Sequence, residues 1–280
     1  LKVLRPDFEE INIFELTASS SPCPCVSFVP LSSSPAAMLR TIAYGSSLVG
    51  FAAVATATTT TAGSSACLCT FDIDRTLTGK QNDLAQCPGN FPIAGVKDDA
   101  YTGGDLTLSQ VGQSIEGTFC SQCYVGIVSA GDADGLNSKE RLVWQMRLGK
   151  SGKLVSQDWS GPSAKGEARA SCKDFSIESP LVVGCLDGTK QFAVANIVGM
   201  LEKTQNVTIK PEDVHHFDDR SDNLTPFAGT GYNAVMVSCS TRDPSLGNAV
   251  GLCGAVPSEI VQGSGVQLCK KTVEENAFVV

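Results

Sequence analysis

Short apolar runs alternate with stretches of helical periodicity along residues 67–240 of this chain. The runs are Cys67–Phe71, Tyr124–Val128, Leu181–Cys185, Val214–Phe217 and Ala234–Ser238. Each has the length of a strand, and most are rich in Val, Ile, Tyr or Phe, side chains that suit a pleated, half-buried surface. Between them Leu108, Val111, Ile115 and Phe119 recur at helical spacing, and Leu142, Val143 and Met146 mark a shorter helix. Phe192, Val194, Ala195, Val198, Met200 and Leu201 mark a longer one, apolar on more than one face. Strands that alternate with helices predict an α/β fold: a three-layer, Rossmann-like parallel sheet with helices on both faces. Two stretches interrupt the alternation, Lys80–Gly104 and Gly149–Glu178. Both are too small to bury a core of their own and read as small cap insertions, the first as a loop-rich flap.

Open parallel sheets bind ligands at the carboxyl ends of their strands. Three of the predicted strands end there on polar groups. Phe71 is followed by Asp72, Val128 by Ser129, and Phe217 by Asp218 and Asp219. Asp72 and Asp74 stand two residues apart, a spacing that on extended backbone aims both side chains the same way. Two carboxylates held that close repel unless a cation lies between them or one keeps a proton. The pair therefore predicts a divalent-metal site that also does nucleophilic and acid–base work.

The segment Thr70–Gly79 reads Thr-Phe-Asp-Ile-Asp-Arg-Thr-Leu-Thr-Gly. Its Asp-x-Asp-x-Thr-Leu-x-Gly pattern resembles the first motif of the haloacid dehalogenase-like superfamily, most of whose members are magnesium-dependent phosphohydrolases. Later segments resemble the remaining motifs in order, over most of Cys67–Ser240. Ser129 closes the apolar run of Gly126-Ile-Val-Ser129, and the resemblance implies that it hydrogen-bonds the transferring phosphoryl group. Lys190, in Asp187-Gly-Thr-Lys-Gln-Phe192, would neutralise the nucleophile and the phosphate, with Lys203 at the far end of that helix as the fallback. In His216-Phe-Asp-Asp-Arg-Ser-Asp-Asn223, Asp219 would reach the magnesium and Asp218 would stand behind it. Asn223 would steady the site, with Asp222 a competing candidate. Asp72 would be the nucleophile that forms an aspartyl-phosphate. Asp74 would be the general acid and base, offering the metal its backbone carbonyl. The implied magnesium ligands are thus Asp72, Asp74 and Asp219. An Asp two residues after the nucleophile points to the phosphatases of the family, since its ATPases carry Thr there and its dehalogenases lack the acid. The expected function is a Mg2+-dependent phosphohydrolase acting on a small phosphomonoester. Two alternatives stay open: an inactive binding protein of the same fold, and a structural protein stabilised by disulfides or zinc.

Composition narrows the partners. The chain has 29 Asp and Glu against 21 Lys and Arg, a formal charge of −8. That balance disfavours a nucleic-acid binder that works by neutralising phosphates, and adhesion to anionic membranes. Of 12 cysteines, ten lie from Cys67 onward: Cys67, Cys69, Cys87, Cys120, Cys123, Cys172, Cys185, Cys239, Cys253 and Cys269. An even number in a secreted chain favours disulfides. Cys120-Ser-Gln-Cys123 also has zinc or redox spacing, and Cys67-Leu-Cys69 could complete a four-sulfur zinc set with it; those readings stay open.

The secretory reading comes from the start of the chain. Met38-Leu39-Arg40 leads into an apolar run, Ile42–Ala55, followed by small residues of A-x-A type. This is the pattern of a signal peptide, and the run is short for the ~20 residues of a membrane span. The expected organisation is an upstream non-native or disordered segment at 1–37, a signal peptide with a short linker at 38–66, and the hydrolase domain at 67–280. A secreted protein, with no stable membrane insertion in its mature form, follows. His215 and His216 are adjacent on a predicted strand, so they face opposite sides and read as packing residues. Asn206-Val-Thr208 is a plausible surface glycosylation acceptor. Asn223-Leu-Thr225, against the expected metal site, is expected to stay unmodified.

Overall fold

A computed structural model describes residues 66–270; the expected signal peptide, the segment before it and residues 271–280 lie outside the described residues. In chain order the strands are β1 (Leu68–Phe71), β2 (Phe91–Asp98), β3 (Gly104–Leu108), β4 (Tyr124–Ser129), β5 (Trp159–Ser160), β6 (Leu181–Val183), β7 (Val214–Asp218), β8 (Asn233–Met236) and β9 (Val266–Gln267). The α-helices are α1 (Gln110–Gln113), α2 (Lys139–Ser151), α3 (Lys190–Gln205) and α4 (Ser221–Leu224). Seven strands form one sheet in the order β5-β6-β4-β1-β7-β8-β9, every neighbouring pair parallel. β2 and β3 form a separate antiparallel hairpin.

The five predicted apolar runs are β1, β4, β6, β7 and β8. They are apolar on both faces because both faces are covered, as a parallel sheet requires. Cys69, Phe71, Val125, Ile127 and Phe217 pack to one side with Val143, Trp144 and Leu148 of α2. Leu68, Val128, Val182, Val214 and Ala234 pack to the other with Ala193, Val194, Ile197 and Leu201 of α3. This is the three-layer, Rossmann-like arrangement read from the sequence.

Three details differ from that reading. Leu108, Val111, Ile115 and Phe119 do not share one helix: Leu108 closes β3, α1 is a single turn, and Phe119 opens a 3-10 turn. Gly112 lies so close to the Leu77 carbonyl that a Cβ would stand 1.9 Å from its oxygen, and Ser109 caps the turn by accepting from the Gly112 N–H. The segment follows the contour of the turn after β1 instead of extending as a helix, yet Leu108, Val111 and Ile115 are still buried. Helix α2 exists, and of its predicted apolar markers Val143 is buried while Leu142 and Met146 point outward. Leu142 and Met146 are 53% and 63% exposed, while Val143, Trp144 and Leu148 face the core. The expected loop-rich flap is in good part the β2–β3 hairpin, and the second insertion holds edge strand β5.

All ten cysteines of the described residues are paired, as Cys67–Cys123, Cys69–Cys120, Cys87–Cys253, Cys172–Cys185 and Cys239–Cys269. The four sulfurs that had zinc spacing are therefore two disulfides. Five disulfides fit an oxidising compartment. Among the described residues no helix is long and apolar enough to cross a membrane.

Chain order fixes where a ligand can enter. After β1 the sheet grows through β4 and β6 to one side; α3 then carries the chain back across to β7, on the other side of β1. The crevice outside the carboxyl ends at such a reversal is the general ligand position of open α/β sheets.

Candidate functional site

At that reversal β1, β4 and β7 deliver their terminal polar residues to one volume. Asp72 follows β1 directly and extends its pairing, its N–H donating to the Phe217 carbonyl at 2.9 Å. The chain then makes one wide turn, in which the Thr78 N–H reaches the Ile73 carbonyl at 2.9 Å. Arg75 holds a left-handed conformation (φ 61°) at its centre. This turn reverses the chain within a few residues and leaves Asp74 facing the exit of β4. A Cβ on Gly131 would stand 3.1 Å from Asp74 Oδ2 and 3.6 Å from Ser129 Oγ. Asp74 and Ser129, 55 positions apart in the chain, thus border the same gap.

Lys190 begins α3, fully buried, between two carboxylates: its Nζ lies 2.9 Å from Asp72 Oδ1 and 2.6 Å from Asp218 Oδ2. Burial alone would lower its pKa, but Asp218 and Asp72 outweigh burial and raise it. Lys203 sits at the opposite end of α3.

Asp218 is fully engaged. Its Oδ2 takes Lys190, and its Oδ1 accepts from the Arg220 N–H at 2.9 Å and from Asn223 Nδ2 at 3.3 Å. Burial pushes its carboxyl up, but Lys190 and His216 overcome that and hold it well below the usual range. Asn223 is buried and also accepts from the Gly188 N–H at 3.0 Å, which ties the turn before α3 to α4. Asp222 points outward and pairs with Arg220.

Asp219 differs from its neighbour. One oxygen accepts from the Gly251 N–H at 2.5 Å, while Oδ1 is buried and has no hydrogen-bond partner among the described residues. Burial, then Asp218 and Asp72, push its carboxyl well above the usual range. The same holds for Asp74, where burial is followed by Asp72 and Asp98. Asp72 is raised by burial to about 6, with Lys190 opposing the shift. Negative charge at this rim exceeds what Lys190 neutralises.

A divalent cation would relieve that excess, and the residues fit one. Asp72, Asp218 and Asp219 each offer a buried oxygen, and these atoms lie within 4.8 Å of one another. All are hard oxygen donors, the set that Mg2+ selects. The unpartnered Asp219 Oδ1 is the clearest ligand atom, since a buried carboxylate oxygen left without a partner is costly.

The sequence did not single out four contributors. Gly251 supplies the N–H that orients Asp219, and it can do so because it has no side chain: a Cβ there would stand 2.7 Å from Ser238 Cβ and 2.9 Å from the Arg75 carbonyl oxygen. His216 does pack, stacked on Phe227, but its Nε2 also lies 3.6 Å from Asp218 Oδ2. Tyr101, at the tip of the β2–β3 hairpin, and Glu140, in the first turn of α2, line the cavity that opens from Asp72 and Asp74. That cavity measures about 680 Å³.

No family model, curated protein or solved structure matches this chain. What stands on geometry is an α/β sheet of Rossmann type with a buried three-aspartate cluster at its switch point, arranged as a candidate metal-binding and catalytic site.

Proposed function

We propose that this protein is a secreted, Mg2+-dependent phosphohydrolase that removes phosphate from a phosphomonoester through an aspartyl-phosphate on Asp72. The observation that carries the reading is the division of labour around Lys190. Lys190 and Asp218 form a fixed pair beside Asp72, while Asp219 keeps a buried oxygen free toward the same volume. The motifs that resemble the haloacid dehalogenase-like superfamily supply these same residues.

The Asp72 carboxylate attacks phosphorus in line; the Asp72 oxygen–phosphorus bond forms as the ester oxygen–phosphorus bond breaks. Lys190 keeps Asp72 largely anionic at neutral pH despite its burial, and its charge lies where the phosphoryl oxygens arrive. Asp74, whose carboxyl is held well above the usual range by burial and its anionic neighbours, keeps a proton to give to the leaving alkoxide. It then takes a proton from the water that hydrolyses the aspartyl-phosphate, which returns Asp72 and releases inorganic phosphate. Ser129 stands at the exit of β4, across the gap from Asp74, where its hydroxyl meets a phosphoryl oxygen. Asp72, Asp219 and the Asp74 carbonyl would hold Mg2+, which when bound would supply charge neutralisation between the anionic nucleophile and the anionic phosphate.

The test is phosphate release from an aryl phosphate by the full chain with its disulfides formed. Wild type is active with Mg2+ and inactive with excess chelator. Asp72→Asn keeps the shape and removes the nucleophile, so turnover falls by about 10³-fold or more. Unchanged turnover in that variant, or full activity in chelator, overturns the proposal.

A further inference from the structure

The cavity in front of Asp72 and Asp74 is walled by nine carboxylates and only two guanidinium groups, those of Arg169 and Arg220. Arg220 is already committed, 3.2 Å from Asp187 Oδ2 and paired with Asp222. A leaving group with its own carboxylate or second phosphate would enter a field that repels it. The phosphoryl group needs neutralisation only at the end where Lys190 stands, so this wall faces the leaving group.

Glu140 makes the wall specific. It is 2% exposed and lines the cavity from α2. Its only side-chain hydrogen bond among the described residues comes from Trp144 Nε1 to Oε1, at 3.0 Å. The second oxygen has no protein partner, and a buried carboxylate so placed calls for a cation. Burial first, then Asp98 and Asp74, pushes its carboxyl well above the usual range, so without a cation beside it the group keeps its proton, and a bound cation displaces that proton. Across the mouth, Asp99 of the hairpin and Asp134 of the β4–α2 loop come close enough that burial and then Asp99 raise Asp134. Tyr101 adds an aromatic wall at 43% exposure; the Arg75 guanidinium covers one face of its ring, 4.8 Å from the centroid, which leaves the other face to attract an organic cation.

A second metal ion does not suit this wall. Among the described residues the carboxylates that converge within chelating distance are Asp72, Asp218 and Asp219. The cavity carboxylates are spread around a space of about 680 Å³, a layout for a diffuse organic cation rather than a compact ion.

We infer that the substrate is a phosphomonoester whose leaving group carries a quaternary or protonated ammonium, and that Glu140, Asp134, Asp99 and Tyr101 form its cation subsite. The inference rests on the phosphohydrolase reading for turnover, but its binding half does not.

The experiment compares three esters on the full-length, disulfide-bonded protein: phosphocholine, its neutral carbon isostere 3,3-dimethylbutyl phosphate, and the anionic phosphoglycolate. Calorimetry with choline and 3,3-dimethylbutanol, which need no turnover, runs beside it. Expected is kcat/KM for phosphocholine about tenfold above the isostere and about a hundredfold above phosphoglycolate. Choline binds more tightly than the neutral alcohol. Glu140→Gln, which keeps the acceptor for Trp144, brings the phosphocholine-to-isostere ratio close to one and weakens choline about tenfold. Should Glu140→Gln fail to fold, the partly exposed Asp134→Asn serves instead, with a loss of about threefold. Equal kcat/KM for phosphocholine and its isostere overturns the inference and leaves the hydrolase standing. So does a second Mg2+ per chain that disappears in Glu140→Gln. If no ester releases phosphate, the hydrolase reading falls, and the choline titration alone decides the subsite: tighter choline sustains it, equal affinity ends it.

Discussion

The two ends of the central strands are built on opposite principles. At the amino ends of β1 and β4, Cys67–Cys123 and Cys69–Cys120 tie neighbouring strands together, and Phe119 packs edge-on against His215. At the carboxyl ends, about four residues along the same strands, Asp72, Asp218 and Asp219 crowd within 4.8 Å around one lysine. The difference teaches where stability comes from and where it is given up. A rim that concentrates like charge lowers the stability of the metal-free fold, because each carboxylate pushed up by burial prefers the solvated, unfolded chain at neutral pH. Covalent closure at the far end offsets that cost without touching the rim. A site that breaks local stability rules while the rest of the molecule obeys them is the usual mark of function.

The largest expected effects come from the rim, and they separate two carboxylates that burial pushes in the same direction. Asp74→Asn removes the proton donor and keeps the backbone. Its rate falls about 10²–10⁴-fold, most for alkyl phosphates with poor leaving groups, while the Mg2+ concentration for half-maximal rate stays where it was. Asp219→Ala removes the oxygen that has no protein partner, so that concentration rises about tenfold or more. Rate against Mg2+ for both variants, with a good and a poor leaving group, checks the assignment. A shifted Mg2+ requirement in Asp74→Asn and none in Asp219→Ala would reverse the two roles.

The opposite end gives a smaller effect, and on stability alone. Replacing Cys69 and Cys120 with Ala opens a covalent loop with a sequence separation of 51 and costs about 2–4 kcal/mol in urea unfolding. Cys69 and Asp72 stand about 10 Å apart along β1, so kcat/KM of the folded variant stays within about twofold of wild type. Loss of activity beyond the loss of folded protein would show that the disulfide end positions the rim, which the comparison denies.

How legible the molecule was in its sequence follows the same division. β1, β4, β6, β7 and β8 were readable because both faces of a parallel sheet are buried and leave unbroken apolar runs. The rim was readable because those runs stop on Asp72, Ser129 and Asp218–Asp219. The two-residue edge strands β5 and β9 are too short to leave a periodic signal. β2 contains Pro92 and Gly95 and shifts register between Ile93 and Lys97, so its alternation is broken. The Gly251 N–H that orients Asp219 belongs to no pattern. It is brought there by a segment fastened through Cys87–Cys253 and Cys239–Cys269, and the pairing of ten cysteines cannot be read from their spacing. Glu140 reads in sequence as an ordinary charged residue of a helix's first turn, and only the sheet behind α2 turns it inward.

Helix α2 supplies the smallest and most discriminating prediction, because two of the three residues that periodicity marks there, Leu142 and Met146, are exposed and the third, Val143, is buried. By periodicity Leu142 and Met146, four residues apart, look like part of a buried stripe; in the structure they are exposed, and Val143, Trp144 and Leu148 meet the core. The rotation is set by Trp144, which is fully buried and donates to Glu140. It is also set by Arg141, whose guanidinium reaches the carbonyls of Asp132, Ser163 and Ala164. Turning α2 to bury Leu142 would break those bonds and expose the indole. Leu142→Gln should therefore change the unfolding free energy by no more than about 0.5 kcal/mol, as surface substitutions do. Val143→Ala, one position along, removes two buried methyl groups and should cost about 1–3 kcal/mol. Urea unfolding of the two variants side by side checks the order. If Leu142→Gln were the more damaging, α2 would sit on its other face, and Glu140 would leave the cavity wall with it.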